Sequence, residues 1–327
     1  MKLKASTASR RHPRIIALAL LASLGCAANA SDPFAGQPTG GSSGGGAGGT
    51  TGPSGMGGTA ATGGSSATGG APAGPDAGGS TGGATGTGGA PAGGAAKPAR
   101  MIVLGDSIAA CQNVGGKMGA DCSARKLYDY VKATYAPALV YENQAVGGAV
   151  TADVPSRQLE AVKPGPGAVL LLVYVGGNDL AKYIFSSDAA ATKGYETDLP
   201  GVLAAWNQVF AFFDDKSKFP DGYRAVMNSQ YNPFDDCTAV PYNVSAQKFE
   251  LLHQFNGELA KLAQAKGASL TDQYTPFLGH GHHYNVMRCP HFMAGAAGWM
   301  SDLIHPNAAG HEDLFQQWKK TVDALYH

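Results

Sequence analysis

From Ala99 onward, short apolar runs alternate with longer segments whose apolar residues recur every three or four positions. The short runs read as buried strands and the longer segments as amphipathic helices. Five strands are predicted, at residues 101–104, 139–143, 168–175, 223–228 and 268–271. The clearest helix covers 246–266, where Phe249, Leu252, Phe255, Leu259 and Leu262 share a face and Gly267 supplies the stop. A second covers 199–214, with Val202, Trp206, Val209, Phe210 and Phe213 on its apolar side. A last helix runs from near Asn307 to near Tyr326, with Leu314, Trp318, Val322 and Leu325 inward. Strands that alternate with helices predict an α/β domain, a three-layer α/β/α sandwich around a mostly parallel five-stranded sheet.

Composition breaks sharply before this pattern. Residues 31–97 are almost entirely Gly, Ala, Ser, Thr and Pro and hold 26 of the 47 glycines. Only Asp32, Asp76 and Lys97 are charged there, and Phe34 is the sole aromatic. Such a stretch cannot bury enough apolar surface to offset the entropy of ordering it, so it is expected to be a disordered linker with a reach of roughly 45 Å. The formal neutrality of the chain is an average over unlike parts. Residues 1–97 carry six Lys or Arg against two Asp, which leaves 18 basic and 22 acidic residues in 98–327. A mildly acidic globular part without a basic stripe argues against a nucleic-acid partner.

Residues 1–30 read as an export signal. Lys2, Lys4, Arg10, Arg11 and Arg14 precede an apolar run at 15–25 and a small-x-small site at Ala28-Asn29-Ala30. The expected location is secreted or cell-surface. The alternative is a lipoprotein anchored at Cys26, because Leu24-Gly25-Cys26 resembles a lipoprotein cleavage box, and that is the one membrane attachment foreseen. Export permits disulfides, and Cys111, Cys122, Cys237 and Cys289 allow three pairings. The first two are neighbours in one loop, so 111 with 122 and 237 with 289 is the simplest.

Four stretches carry the candidate chemistry. Gly105-Asp106-Ser107-Ile108 follows the first strand, and Asn143-Gln144-Ala145-Val146-Gly147-Gly148 follows the second. Gly176-Gly177-Asn178-Asp179 follows the third, and Asp302-Leu303-Ile304-His305 precedes the last helix. In open α/β sheets, ligands bind just beyond the carboxyl ends of the strands. Taken alone, Gly-Asp-Ser is also an ordinary turn and helix cap, and Asp302 with His305 is an ordinary helix approach.

As an ordered set, the four blocks resemble those of the GDSL, or SGNH, hydrolase family, over residues 100–327. The resemblance implies the flavodoxin-like fold of that family. It implies Ser107 as nucleophile, His305 as base and Asp302 as the group that orients the imidazole. The N–H groups of Ser107 and Gly148 and the amide of Asn178 would form the oxyanion hole. These residue types suit the work: a serine hydroxyl is a poor nucleophile until a neutral imidazole takes its proton, and each donor aimed at the oxyanion is worth about 3 to 4 kcal/mol. Ile108 stands where the family name has leucine, and the Cys111–Cys122 loop after the nucleophile is less usual.

His280, His282, His283 and His291 crowd a glycine-rich loop beside Cys289. Their spacing is not that of a zincin helix, so no metal and no other cofactor is expected. The loop is read as a polar lid or rim, with Phe292 and Trp299 near the acyl or sugar pocket. The whole therefore predicts a monomeric exported serine esterase for small-molecule or polysaccharide esters, with short acyl groups such as O-acetyl on carbohydrate as the first choice. The alternatives are a lipase or lysophospholipase of the same family, or an inactive surface-binding module on a stalk.

A chain beginning near Lys97 is expected to fold and to keep full activity on soluble esters, because neither leader nor linker contributes core residues. Expression of that truncation and comparison of its esterase rate with the full chain checks this; strong loss of solubility or rate would show that the linker packs on the domain.

Overall fold

A computed structural model describes residues 96–327. The predicted leader, nearly all of the linker, and Cys26 lie outside the described residues. Five strands form one sheet: β1 (Arg100–Gly105), β2 (Val140–Asn143), β3 (Val169–Tyr174), β4 (Tyr223–Asn228) and β5 (Ser269–Thr271). Their order is β2-β1-β3-β4-β5, and every neighbouring pair is parallel. The sheet is thus wholly parallel, as strands joined by crossover helices require.

Four long helices cover the sheet: α1 (Ser123–Thr134), α2 (Asp188–Asp214), α3 (Ala246–Lys266) and α4 (Ala308–Tyr326). Successive strand residues face opposite ways, so each strand serves two cores. Ile102, Leu104, Leu171 and Val173 pack with Trp206, Phe210 and Phe213 of α2 and Phe255 and Leu259 of α3. Met101, Val103, Leu170, Leu172 and Tyr174 pack on the other face with Leu127 and Val131 of α1 and Leu314 and Trp318 of α4. Burial on both faces explains why β1 and β3 read as unbroken apolar runs.

The strands and the helix at Ala246–Lys266 fall where the sequence predicts them, and Gly267 ends α3 with φ +62. Helix α2 differs. It begins at Asp188, well before residue 199, and Pro200 lies inside it. Ser187 caps its start by accepting the Ala190 N–H at 3.3 Å, and Ala191 and Tyr195 are buried with the rest of the apolar face. Packing of that first stretch outweighs the one backbone hydrogen bond a proline forfeits. Helix α1 carries no strong sequence signature because Arg125, Lys126, Asp129 and Lys132 dominate it, yet Leu127 and Val131 are fully buried. The cysteines pair as the simplest scheme expects, Cys111 with Cys122 and Cys237 with Cys289. Among the described residues, no helix is long and apolar enough to cross a membrane.

The chain passes from β1 to β2 on one side and then to β3 on the other, so a crevice opens at the carboxyl ends of β1 and β3. β1 ends at Gly105, whose φ is +142 and whose missing Cβ would stand 1.9 Å from the Tyr174 carbonyl oxygen. The Gln158 side chain seals the same residue, accepting the Gly105 N–H at 2.8 Å and donating to its carbonyl at 2.7 Å. Gly105→Ala is expected to abolish folding, since the clash is with β3 backbone and the φ is strained for any L side chain. Circular dichroism and thermal melting check this; a cooperative melt near the wild-type temperature would overturn it.

Candidate active site

Ser107 sits in the tight turn that follows β1. Its carbonyl accepts the Gln112 N–H at 2.9 Å, and Asp106 shapes the turn from below by accepting the Ile108 N–H at 2.9 Å. The residue is 4% exposed and borders the crevice, and its hydroxyl has no hydrogen-bond partner among the described residues. His305 approaches from the loop before α4. Its Nδ1 lies 2.9 and 2.8 Å from the two carboxylate oxygens of Asp302. That leaves Nε2 free of any partner among the described residues. Ile304, beside His305, lines the crevice together with Ser107, and Asp106 feels the His305 charge. The structure therefore pairs His305 with Asp302 on the loop whose Ile304 lines the crevice that Ser107 borders.

The loop that carries the pair is held from several sides. The Ser301 N–H donates to the His305 carbonyl at 2.8 Å, and the Tyr231 hydroxyl donates to the Ile304 carbonyl. Tyr231 is itself stacked on buried Phe277, with ring centroids 4.3 Å apart. Burial alone would raise the Asp302 carboxyl, but the His305 ring and the N–H groups of Ile304 and His305 outweigh it and hold that carboxyl well below the usual carboxylate range. Asp302 is thus an anion aimed at the imidazole.

The donors expected around the nucleophile fall as follows. Asn178 lines the crevice, with Nδ2 donating to the Ala149 carbonyl at 2.9 Å. An amide nitrogen carries two hydrogens, so one remains for a ligand. Gly148 has φ +77 and open space where a side chain would be. Gly147 is the nearer neighbour: a Cβ there would stand 4.0 Å from the Ser107 Cβ and 3.1 Å from Gln112 Oε1. A run of two glycines does not reveal which of them approaches the serine.

The crevice continues into a cleft lined by Leu180, Ile184, Phe234, Val244, Phe249 and Leu252 among others. Residues 112–117, the polar loop after Ser107, do not line it. The glycine-rich histidine loop, read as a polar lid or rim, does not line the cleft either. Its backbone wraps the buried Asp235 carboxylate, which accepts from the N–H groups of Gly279, Gly281 and His283 at 2.7–2.9 Å. Both His283 ring nitrogens lie 3.0 Å from backbone carbonyls, and His280 stacks on Trp299 at 3.6 Å. Phe292 and Trp299 also lie outside the cleft lining. Among the described residues, no three His, Cys, Asp or Glu side chains group as a metal site.

A wholly parallel sheet, a serine just past β1, the strand second from one edge, and a histidine–aspartate pair on the loop whose Ile304 lines the same crevice suit an ester hydrolase of the α/β class. The chain belongs to the GDSL-like Lipase/Acylhydrolase family, whose model matches residues 103–312. Several solved structures resemble it. The extracellular lipase of Streptomyces rimosus is 22% identical, covering 68% of this chain and 99% of its own, with a TM-score of 0.48. Phospholipase A1 of Streptomyces albidoflavus NA297 is 18% identical over 68% and 99%, at 0.47. An acetylxylan esterase of Geobacillus stearothermophilus is 16% identical over 68% and 93%, at 0.44. No curated protein sequence matches the chain.

Asp106 has an electrostatic consequence for stability. Burial pushes its carboxyl up to about 7, against the Ile108 N–H and the His305 charge. An acid whose folded pKa is raised binds its proton in the native state while the unfolded chain has already lost it. Stability from this group is therefore fully present below about pH 4 and declines as the pH rises toward 7. Asp106→Asn removes the ionisation, so its melting temperature relative to wild type is expected to climb by several degrees between pH 4 and pH 7.5. Thermal melts across that range check the sign; a difference that stays flat or falls would refute it.

Proposed function

We propose that the protein is an exported serine esterase that hydrolyses carboxylic esters of medium to long acyl chains through an acyl-enzyme. Residues 1–30 would direct export and 31–97 would tether the catalytic domain at a distance. In the reaction, His305 Nε2 takes the Ser107 proton as Oγ attacks the ester carbonyl. The imidazolium that forms faces the ionised Asp302. Negative charge then gathers on the former carbonyl oxygen, within reach of the Ser107 N–H, the glycine pair Gly147-Gly148 and the free amide hydrogen of Asn178. Collapse breaks the ester C–O bond, and His305 returns the proton to the departing alcohol. Water repeats the cycle on the acyl-enzyme: His305 accepts its proton, the acyl–Oγ bond breaks, the acid leaves and Ser107 recovers its hydrogen.

The observation that carries the chain-length reading is the cleft running from Ser107 between Leu180, Ile184, Phe234, Val244, Phe249 and Leu252. An acetyl group would leave those side chains facing water. Each CH₂ buried there is worth about 0.8 kcal/mol, roughly a fourfold gain in kcat/KM. This reverses the sequence-based preference for short acyl groups. A polar side completes the site, with Gln112 beside Gly147, and Lys117 donating to the Asn143 carbonyl at 3.0 Å. It suits a hydroxyl-bearing alcohol. Convergence of Ser107, His305 and Asp302 argues against an inactive binding module.

A p-nitrophenyl ester series from acetate to palmitate is the test. The rate constant kcat/KM is expected to rise to a maximum at about six to ten carbons. A fluorophosphonate should label Ser107 and nothing else, and Ser107→Ala should abolish labelling and turnover together. A maximum at acetate would restore the short-acyl reading, and labelling at another serine would sink the catalytic assignment.

A further inference from the structure

The Asp302 carboxylate has partners from two sources. Within its own loop, Oδ1 accepts the N–H groups of Ile304 and His305 at 3.0 and 2.8 Å, and the His305 ring bridges both oxygens. One partner comes from far along the chain. Asn113 Nδ2 donates to Asp302 Oδ2 at 2.7 Å and to Ser301 Oγ at 3.1 Å. The side chain of Asp302 is 45% exposed, so water competes for every lone pair that the protein does not hold.

Asn113 is unusually well placed to hold it. It lies in the loop closed by Cys111–Cys122, and both Cys111 and Asn113 take left-handed backbone, φ +57 and +68. The N–H groups of Val114 and Gly116 both reach the Cys111 carbonyl, at 3.4 and 3.1 Å. The preceding residue, Gln112, donates its N–H to the Ser107 carbonyl. One short stretch of backbone therefore grips the turn of the nucleophile at one residue and the acid at the next.

We infer that Asn113 is a positioning residue for catalysis: its amide holds the Asp302 carboxylate in line with the His305 imidazole and couples that pair to the Ser107 turn. The inference rests on the roles given to Ser107, His305 and Asp302 above. Asn113 touches no substrate and acts through Asp302. A neutral amide serves this purpose better than a cation, because it fixes an oxygen without quenching the negative charge the imidazolium needs. Asparagine also tolerates the left-handed backbone that aims it.

Asn113→Gly tests this cleanly, since glycine suits φ +68 and only the side chain is removed. On a soluble butyrate ester, kcat is expected to fall 10- to 100-fold with KM changed less than threefold and the melting temperature nearly unchanged. In an Asp302→Ala background the same substitution is expected to cost nothing further, because the group through which it acts is gone. Asn113→Asp, which keeps the shape and places an acceptor against the carboxylate, should lose kcat to a similar degree. Wild-type kcat in either single variant, or losses that multiply in the double variant, would overturn the inference while leaving the triad in place. Full activity of Asp302→Ala alone would remove both.

Discussion

The site depends on how closely the backbone of β1 can approach that of β3. Gly105 and Tyr174 lie so near that any side chain at 105 would meet the Tyr174 carbonyl. Its positive φ turns the chain out of the sheet directly into Asp106 and Ser107. A fully buried strand flanked by parallel neighbours cannot shift to relieve a clash, so the position of the serine follows from the rigidity of the sheet. Everything else in the site comes to that point from loops.

Those loops present unlike surfaces around the serine. On one side, side chains from the Gly177–Ala181 turn and from α3 form an apolar cleft. On the other, the disulfide-closed loop after Ser107 brings Gln112 beside Gly147 and Lys117 to the Asn143 carbonyl. An ester is itself two-sided, with an acyl part and an alcohol part, so the asymmetry gives the substrate a direction. Under the proposed function, a chain buried on one side and an alcohol left on the other would orient the carbonyl without any contact to the carbonyl carbon.

Charge is arranged with the same economy. Asp302 is partly exposed and rich in donors, and it stays ionised; Asp106 is buried beside the serine and is held near neutrality by desolvation. Two carboxyls within one site thus differ through environment alone. Asp235 shows a third outcome, a buried carboxylate whose partners are the backbone N–H groups of the histidine loop, which carries the buried His283 ring.

By itself the sequence determined whatever depends on local periodicity and local turn chemistry. The five strands, the helix at Ala246–Lys266 with its glycine stop, and the four ordered blocks that place Ser107, Asn178, Asp302 and His305 at strand or loop ends were all legible, because period and turn residues act over a few positions. Helix α1 and the first half of α2 were less so, since tertiary burial of Leu127, Val131, Ala191 and Tyr195 decides them against their polar or proline-bearing neighbours. Only the tertiary structure decided the lining of the cleft, the proximity of Gly147 to Ser107, the sequestration of His283 and the reach of Asn113 to Asp302. Those contacts join residues dozens to nearly two hundred positions apart, and no pattern along a chain encodes which distant surfaces will meet.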